Sequence, residues 1–422
     1  MLTLQLLRDQ PEQVVQRLQK KHFQAGEIVE AILRIDQERR KIQAQNDALL
    51  AEANELARSI GDLFKQGKKD EAESLRQRTG ELKEETKKLG EQLQALESQL
   101  QEKITELPNL PHDSVPEGKT PQDNVTVREG GSKPSLPTDA KPHWDLAEQY
   151  NLIDFALGNK VTGAGFPVYL NKGARLQRAL INYFLDKALE TGYRECQPPI
   201  LVNTDSAFGT GQLPDKEGQM YAVERDQLYV IPTAEVPLTN IYRDVILDEA
   251  QFPVKMVGYT PCFRREAGSY GKDVRGLNRL HQFDKVEIVQ VRKPEESYQA
   301  LEEMVAHVES LLVALQLPYR ILRLCGGDMS FTSALTYDFE VYAAAQDRWL
   351  EVSSVSNFES FQANRLKLRY KEDKTNKLAH TLNGSALALP RIVAALLENN
   401  QQPDGISIPA PLVPYTGFAK ID

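Results

Sequence analysis

Two arginines and a glutamate precede a glycine-rich basic loop in the stretch CFRREAGSYGKDVRGLNRLHQFDKVEIV, residues 262–289. Side chains alternate along a strand, so Arg264 and Glu266 are expected on one face of a first strand. A returning strand would present Phe283, Lys285 and Glu287 together. Guanidinium groups suit phosphate oxygens, and an aromatic ring can stack on a base. The stretch predicts a nucleotide site, with an ordinary salt-bridged hairpin as the alternative.

The N-terminal part of the chain carries a pattern that is typical of a coiled coil. Apolar residues recur every seven positions, as Ile28, Ile35, Ile42, Leu49, Leu56 and Leu63 and then as Leu75, Leu82, Leu89 and Leu96. The polar stretch KQGKKDEA between the two series predicts a turn. Two antiparallel helices of about 36 residues would each be roughly 55 Å long, so the hairpin should project. Its basic clusters suit either a solvated face or a phosphate backbone.

We predict three parts for the chain: a helical hairpin domain at 1–107, a connector at 108–142 and a second domain at 143–422. The connector is rich in proline, glycine and polar residues, without either helical or strand periodicity. After it, helical segments alternate with several strand candidates joined by short turns. This order favours an α+β fold built on an antiparallel β-sheet flanked by helices.

Composition limits the class of protein. The chain has 422 residues, of which 26% are charged and 41% hydrophobic, and its net charge is −9. Its N-terminus places Arg8 and Asp9 where a signal peptide needs apolar residues, so we expect a cytoplasmic protein that is not in a membrane. Its three cysteines form no close pair, so neither disulfides nor zinc is expected.

The stretch at 262–289 resembles the second signature motif of class II aminoacyl-tRNA synthetases, and in detail that of the seryl-tRNA synthetases. TAEVPLTN at 233–240, EVSSVSNFESFQANR at 351–365 and LNGSALALPRIVAALLENNQ at 382–401 are similar to further motifs of that family in the same order. With the helical hairpin, the likeness covers nearly the whole chain. It implies a ligase that activates L-serine with ATP and transfers the seryl group to the 3′-terminal adenosine of tRNA(Ser). Whether tRNA(Sec) is a second acceptor stays open.

The resemblance also implies an ATP site. Arg264 would hold the α-phosphate and Arg391 the γ-phosphate, as the two catalytic residues, because charge builds on phosphate in the transition state. The full implied set is Arg264, Arg265, Glu266, Leu280, Phe283, Glu351, Val352, Ser353, Ser354 and Arg391. His281, by contrast, is expected to have a structural role.

Magnesium is expected with ATP, and the resemblance makes Glu351 and Ser354 its ligands. Residues three apart face opposite sides of a regular strand, so this pair can converge only if the strand bulges or turns near Ser353.

The serine site implied by the family comprises Thr233, Ala234, Glu235, Glu287 and Ser385. One carboxylate can pair with the substrate ammonium while the other accepts from its hydroxyl, and the sequence does not decide which does which. The alternative for Thr233 is a helix cap before a helix that begins near Ala234.

The same resemblance implies a homodimer whose hairpin recognises the long variable arm of tRNA by shape and backbone. The departures from the family pattern are Asn364, Val355 and Lys272. Two rival functions stay open: a coiled-coil adaptor without activity, and a class II synthetase for another small amino acid such as threonine or proline.

Overall fold

The computed structural model describes residues 1–266 and 275–422. The predicted loop residues Gly268, Gly271 and Lys272 lie outside the described residues. Two compact units are present, the first formed by 1–19 with 23–108 and the second by 20–22 with 109–422.

Helices occupy both units. Their bounds are α1 Leu4–Asp9, α2 Pro11–Gln19, α3 Gly26–Lys65, α4 Lys69–Thr105, α5 His143–Gln149, α6 Phe155–Val161, α7 Asn171–Glu190, α8 Thr204–Thr210, α9 Glu235–Asn240, α10 Ser297–Ala314, α11 Ser360–Leu366, α12 Leu389–Asn399 and α13 Val413–Thr416. Short 3₁₀ turns span Pro121–Asp123, Glu224–Asp226, Glu249–Gln251, Pro294–Glu296 and Ala410–Leu412.

All described strands belong to the second unit. They are β1 Val125–Gly130, β2 Ile153–Asp154, β3 Val168–Tyr169, β4 Arg194–Glu195, β5 Leu201–Val202, β6 Tyr221–Val223, β7 Leu228–Val230, β8 Ile246–Leu247, β9 Val254–Phe263, β10 Gln282–Arg292, β11 Tyr319–Arg323, β12 Leu335–Ala343, β13 Arg348–Asn357, β14 Arg369–Glu372, β15 Thr375–Leu378, β16 His380–Ala388, β17 Gln401–Gln402, β18 Gly405–Ser407 and β19 Lys420–Ile421.

The first unit contains the predicted antiparallel hairpin, formed by α3 and α4. The heptad residues of α3 are half-buried, and those of α4 are half-buried or, for Leu82, fully buried. Gly67 makes the turn with a φ of 79°, a value that glycine adopts without steric cost. The heptad pattern therefore predicted this element correctly, because a two-helix seam buries only one stripe of each helix.

An eight-stranded sheet forms the centre of the second unit. Its strand order is β1-β11-β12-β13-β16-β10-β9-β4. All neighbouring pairs are antiparallel except β4 with β9. The predicted α+β class is confirmed. Strand β1 lies inside the segment that was predicted to be an irregular connector, and it forms one edge of the sheet by pairing with β11.

Both faces of the central strand β10 are covered. Val286 and Ile288 join the large core beneath α7, α10 and α12, as the strand alternation predicts. Val289 and Val291 face the opposite side, where they pack in a second core with residues of α9 and α11. Glu287 shares the side of Val289 because side chains two apart point the same way. Lys285 and Glu287 therefore open toward α9 and α11.

Candidate active site

A buried polar cluster lies where β10 pairs with β16, on the side of α9 and α11. Glu287 and Ser385 are direct partners across these two strands. The exposed fractions are 5% for Thr233, 7% for Glu235, 0% for Glu287 and 7% for Ser385. Ala234 is fully buried behind them. All five residues that were predicted for a serine site are thus buried polar residues or their immediate neighbour.

Glu287 is held by a buried lysine and by a threonine. Lys285 Nζ lies 2.6 Å from Glu287 Oε2, and Thr233 Oγ1 donates to the same oxygen at 2.9 Å. Lys285 also donates to Thr233 Oγ1 at 3.0 Å. The Glu235 amide, the first in α9, donates to that hydroxyl at 3.2 Å, whereas Ala234 occupies the N-cap position of the helix. The contact with the helix start and a role in the site are therefore compatible.

Among the described residues, the side-chain hydrogen bonds to Glu235 come from two amides. Gln362 Nε2 donates to its Oε1 at 2.7 Å, and Asn383 Nδ2 donates to its Oε2 at 2.8 Å. Burial, and then the neighbouring charge of Glu287, raise the pKa of Glu235 to about 7. The cluster thus holds a carboxyl group that is costly to ionise until a cation arrives.

Arg264 and Phe283 border a second region of the site. The Arg264 guanidinium carbon lies 5.4 Å from the centroid of the Phe283 ring. Glu266 pairs with Arg279 at 3.2 Å, and Leu280 is buried nearby in the sequence. A cation therefore lies over an aromatic ring here, while the carboxylate of Glu266 is paired with a second arginine.

The predicted strand face is wrong beyond Phe263, where β9 ends. The Arg264 amide still donates to the His281 carbonyl at 2.9 Å, but the Arg265 amide donates to the carbonyl of Gln219 instead. Glu266 has a φ of 48°, which no strand residue adopts. Strand alternation therefore cannot assign Glu266 to the face of Arg264.

Arg391 lies in the first turn of α12, directly after Pro390. Its Nε donates to the Asn278 carbonyl at 3.0 Å, and its guanidinium also donates to the Glu351 carbonyl at 2.6 Å. Burial lowers the pKa of Arg391. The charge of Glu351 opposes this lowering, and the positive charge of Arg264 adds to it. These two arginines are thus close enough to repel each other, which an anion between them would relieve.

Strand β13 has the irregularity that the spacing of Glu351 and Ser354 demands. Phe339 pairs with Ser353 and Glu340 pairs with Glu351, so Val352 is an extra residue in the ladder. This is a β-bulge, and it reverses the parity between Glu351 and Ser354. Val352 and Ser353 are buried, whereas Glu351 is exposed and Ser354 half-buried.

Asp338 on the neighbouring strand completes this group of oxygen atoms. It pairs with Ser354 across β12 and β13. Burial and the charge of Glu351 raise the pKa of Asp338, while a hydrogen bond from Ser354 opposes the rise. Its Oδ1 is buried without a hydrogen-bond partner among the described residues. Three oxygen-bearing side chains therefore converge, and one buried oxygen is unsatisfied, which fits a hard cation such as Mg²⁺.

One guanidinium connects the two halves of the site. The positive charge of Arg264 acts on Glu235 in the buried cluster and on Arg391 in the phosphate region. Ser353 Oγ also donates to the Ser385 carbonyl at 2.6 Å, which ties the bulged strand to the cluster. The buried carboxylates and the arginines thus belong to one continuous site.

Sequence reasoning did not assign four residues that line this site, namely Lys285, Gln362, Asn383 and Asp338. Asn383 donates to both carboxylates, at 2.8 Å to Glu235 and 3.2 Å to Glu287. Its position two residues before Ser385 on one strand face was a usable signal. Gln362 and Asp338 gave no such signal because they enter the site from α11 and β12.

His281 has structural partners, as expected. Its Nδ1 lies 2.8 Å from the Tyr221 hydroxyl, and its ring stacks on Phe166 at 5.4 Å between centroids. Of the residues that depart from the family pattern, Val355 is buried against Gly384, and Lys272 lies outside the described residues.

Across 1–266 and 275–422, no group of three or more histidine, cysteine, aspartate or glutamate side chains is arranged to hold a metal ion. Within the same ranges, every helix is too short or too polar to span a lipid bilayer.

Comparisons with known proteins agree with one another. Residues 1–111 match the family described as "Seryl-tRNA synthetase N-terminal domain", and residues 221–400 match "tRNA synthetase class II core domain (G, H, P, S and T)". The serine–tRNA ligase of Salinibacter ruber is 54% identical over 100% of this chain and 99% of its own length. That of Thermotoga maritima is 47% identical over 100% of both chains. The crystal structure of seryl-tRNA synthetase from Pyrococcus horikoshii complexed with ATP matches with a TM-score of 0.92 and 35% identity, covering 100% of this chain and 99% of that one.

Proposed function

The chain belongs to the seryl-tRNA synthetase family, and on that premise we propose how its residues divide the work of the reaction. The enzyme activates L-serine with ATP and then transfers the seryl group to tRNA. In the first step a serine carboxylate oxygen bonds to the α-phosphorus and the bond to the β-phosphate bridge breaks, which releases pyrophosphate. In the second step a hydroxyl of the terminal adenosine attacks the seryl carbonyl and AMP leaves.

One pair of contacts carries the assignment of roles: Arg391 donates to the Glu351 carbonyl at 2.6 Å, and on the same strand Ser353 Oγ donates to the Ser385 carbonyl at 2.6 Å, which connects the arginine with the buried cluster. We infer that Arg264 binds the α-phosphate, where the serine carboxylate must arrive, and that Arg391 binds the γ-phosphate. The site needs no general base, because a serine carboxylate is already ionised at neutral pH. Fixed cations beside the phosphates stabilise the charge that develops in the transition state.

The remaining residues of the ATP site would hold the base. Phe283 would stack on the adenine ring, while Glu266 and the backbone near Leu280 would meet its polar edge. Arg265 and the segment at 351–354 would border the phosphates. The cation–ring contact between Arg264 and Phe283 supports a shared surface for base and phosphate.

Glu351 and Ser354 would hold Mg²⁺ through oxygen atoms, and the cation would neutralise phosphate charge as ATP reacts. The bulge at Val352 and the unsatisfied Asp338 oxygen support this role. Asp338 would orient the Ser354 hydroxyl toward the cation.

Serine would occupy the buried cluster of Thr233, Glu235, Glu287 and Ser385. Two carboxylates suit a substrate that carries an ammonium group and a hydroxyl group. A buried site built for hydrogen bonds rejects a substrate without the hydroxyl, because its own polar groups would stay unpaired.

Serine-dependent exchange of pyrophosphate into ATP tests this assignment. We expect exchange with serine to exceed exchange with alanine, threonine or proline at least a hundredfold in kcat/KM. Faster exchange with threonine or proline would contradict the serine assignment. Exchange with none of the four would favour a coiled-coil adaptor.

The hairpin would bind tRNA(Ser) by its phosphate backbone, and tRNA(Sec) is the second acceptor to test. Several of its cations have carboxylate partners, for example Lys65 with Asp62 and Arg76 with Glu73. Others are exposed and make no ion pair within the described residues: Arg40, Lys41, Lys69, Lys87 and Lys88. Such cations can release counterions from RNA without first breaking an internal pair.

We also propose a homodimer that works in the cytoplasm, where tRNA and ATP are available. Ile200, Leu201, Ile241 and Ile246 are large apolar residues that are between 38% and 51% exposed. A hydrogen bond from Arg243 to Asn203 joins the segments that carry Leu201 and Ile241. Sedimentation of Leu201→Asp should show a monomer, whereas Val313→Asp, changed at another exposed apolar residue, should sediment as the wild type. A dimeric Leu201→Asp would exclude this surface.

A further inference from the structure

A buried histidine contacts the segment at 275–281 and is itself held by a buried glutamate, although the reaction described above uses neither. His143 begins α5 and Glu398 lies near the end of α12. Both are fully buried, and His143 Nδ1 lies 2.7 Å from Glu398 Oε1. Buried groups of this kind need a complete set of partners.

Glu398 has such a set. Its Oε1 accepts from the His143 amide at 3.0 Å, from the His143 ring and from Gln346 Nε2 at 2.8 Å. Its Oε2 accepts from the amides of Ala345 and Gln346, each at 3.2 Å. The carboxylate thus fixes α5, α12 and the turn at 343–347 against one another.

The second nitrogen of the His143 ring contacts the segment that leads into β10. The Leu277 amide donates to His143 Nε2 at 2.8 Å, so Nε2 must carry a lone pair and Nδ1 the proton. The ring therefore bridges Glu398 and the Leu277 amide by a hydrogen bond at each of its nitrogens. Gly276 approaches so closely that a Cβ there would lie 2.3 Å from His143 Nε2, and its φ of 64° favours glycine.

The residue after Leu277 holds Arg391. The backbone carbonyl of Asn278 accepts from Arg391 Nε at 3.0 Å. The side-chain Nδ2 of Asn278 donates to Gln346 Oε1 at 2.9 Å. Arg391 and Glu398 are seven residues apart on α12, so they lie on the same face two turns from each other. One face of α12 thus binds two adjacent residues of the segment: Arg391 binds Asn278 directly, and Glu398 binds Leu277 through His143.

We propose that His143 and Glu398 are positioning residues for ATP: they fix Leu277 and Asn278, and thereby the direction of the Arg391 guanidinium. This inference rests on the proposed role of Arg391 at the γ-phosphate. It concerns ATP and leaves the serine cluster unchanged.

Two variants of His143 separate the two functions of its ring. In His143→Asn the side-chain nitrogen takes the place of Nδ1 and can donate to Glu398, but nothing accepts from Leu277. In His143→Gln the side-chain oxygen reaches the place of Nε2 and can accept from Leu277, while Glu398 keeps its other donors. Both variants lose one buried hydrogen bond, so they are matched in kind.

The dissociation constant of MgATP, measured by calorimetry without serine, is the primary readout. We expect His143→Asn to raise it about tenfold and His143→Gln to raise it less than about threefold. The KM for serine in pyrophosphate exchange should stay within about twofold for both. In the Arg391→Ala background, His143→Asn should cause no further loss of ATP affinity, because the two changes act on one interaction.

Several outcomes would overturn the proposal. These are equal ATP affinities for the two His143 variants, additive losses with Arg391→Ala, or a serine KM that rises as much as the ATP constant. A purely structural role would lower the melting temperature of both variants without separating their ATP affinities. If the wild type binds MgATP but shows no serine-dependent exchange, the proposed function fails while the positioning role is still decided by the calorimetry.

Discussion

At the scale of single residues, the two buried glutamates of the site differ in their partners: one is paired with a lysine, and the other is hydrogen-bonded to amides. Lys285 neutralises Glu287 inside the protein, whereas the donors that bind Glu235 within 1–266 and 275–422 are neutral amides. On the phosphate side, Arg264 and Arg391 repel each other. A cationic substrate group would therefore favour the ionised form of Glu235, and an anion would favour the charged form of Arg391.

Removing the guanidinium groups should separate chemistry from ATP binding. We expect Arg264→Ala to lower kcat for pyrophosphate exchange about a hundredfold or more, because the Arg264 guanidinium stabilises charge that develops in the transition state. Arg391→Ala should mainly raise the KM for ATP, about tenfold. Steady-state exchange kinetics measure both effects. Arg225→Ala, at an exposed position, is the control, and a comparable loss there would contradict the assignment.

Glu235 should make stability depend on pH. Its pKa rises from the usual 4.5 to about 7 in the folded protein, so the folded state binds the proton more tightly than the unfolded chain. This contribution to the free energy of unfolding, on the order of 3 kcal/mol, is present in full below pH 4.5 and is lost as pH rises through 7. Glu235→Gln mimics the protonated form and should therefore lose this part of the pH dependence.

Thermal unfolding without serine, followed between pH 5 and pH 8.5, measures the difference. The melting temperature of Glu235→Gln relative to the wild type should increase with pH. Glu224→Gln, at an exposed residue, should parallel the wild type throughout. A constant difference for Glu235→Gln would show that the carboxyl is ionised throughout.

At the scale of elements, one irregularity in a strand assembles a ligand set. Without the extra residue Val352, Glu351 and Ser354 would face opposite sides of β13. With it, both approach Asp338 on β12. In the hairpin, by contrast, no irregularity is needed, because a regular seam of mostly half-buried apolar residues pairs α3 with α4.

The hairpin should be separable from the activation site by a core substitution. Leu82 is fully buried in the seam, so Leu82→Ala should destabilise the hairpin by about 3 kcal/mol. Circular dichroism should show its helices melting at a lower temperature, with tRNA charging lost there while serine-dependent exchange continues. Lys83→Ala, its exposed neighbour, should change neither. If exchange were lost at the same temperature as charging, the hairpin and the activation site would unfold together.

At the scale of the whole molecule, the chain consists of two compact units with different chemistry. The unit of 1–19 and 23–108 is helical and presents exposed cations. The unit of 20–22 and 109–422 contains every residue proposed for ATP and serine. Recognition of a long RNA and activation of a small amino acid can therefore be tested apart.

Deleting residues 27–103, with a short glycine–serine linker in their place, should abolish tRNA charging. Serine-dependent exchange should retain at least about half of its kcat/KM, because none of its proposed residues lies in the deleted segment. Filter-bound aminoacyl-tRNA and pyrophosphate exchange measure the two steps on one preparation. Loss of both, in a deletion protein that melts cooperatively, would contradict the division of labour.

The sequence by itself determined the features that depend on local periodicity and on motif identity. The heptad seam predicted α3 and α4, because a 3.5-residue repeat can bury its stripe only against another helix. Strand alternation predicted the burial of Val286 and Ile288, and the motifs named the buried residues Thr233, Glu235 and Glu287.

Only the tertiary structure decided which partners those residues meet. Gln362 and Asp338 reach the site from α11 and β12, and no spacing along the chain records their convergence with Glu235 and Ser354 on other elements. The end of β9 at Phe263 and the bulge at Val352 likewise depend on neighbouring strands. Periodicity is a property of adjacent residues, whereas a binding site is made by side chains that the chain fold brings together from distant positions.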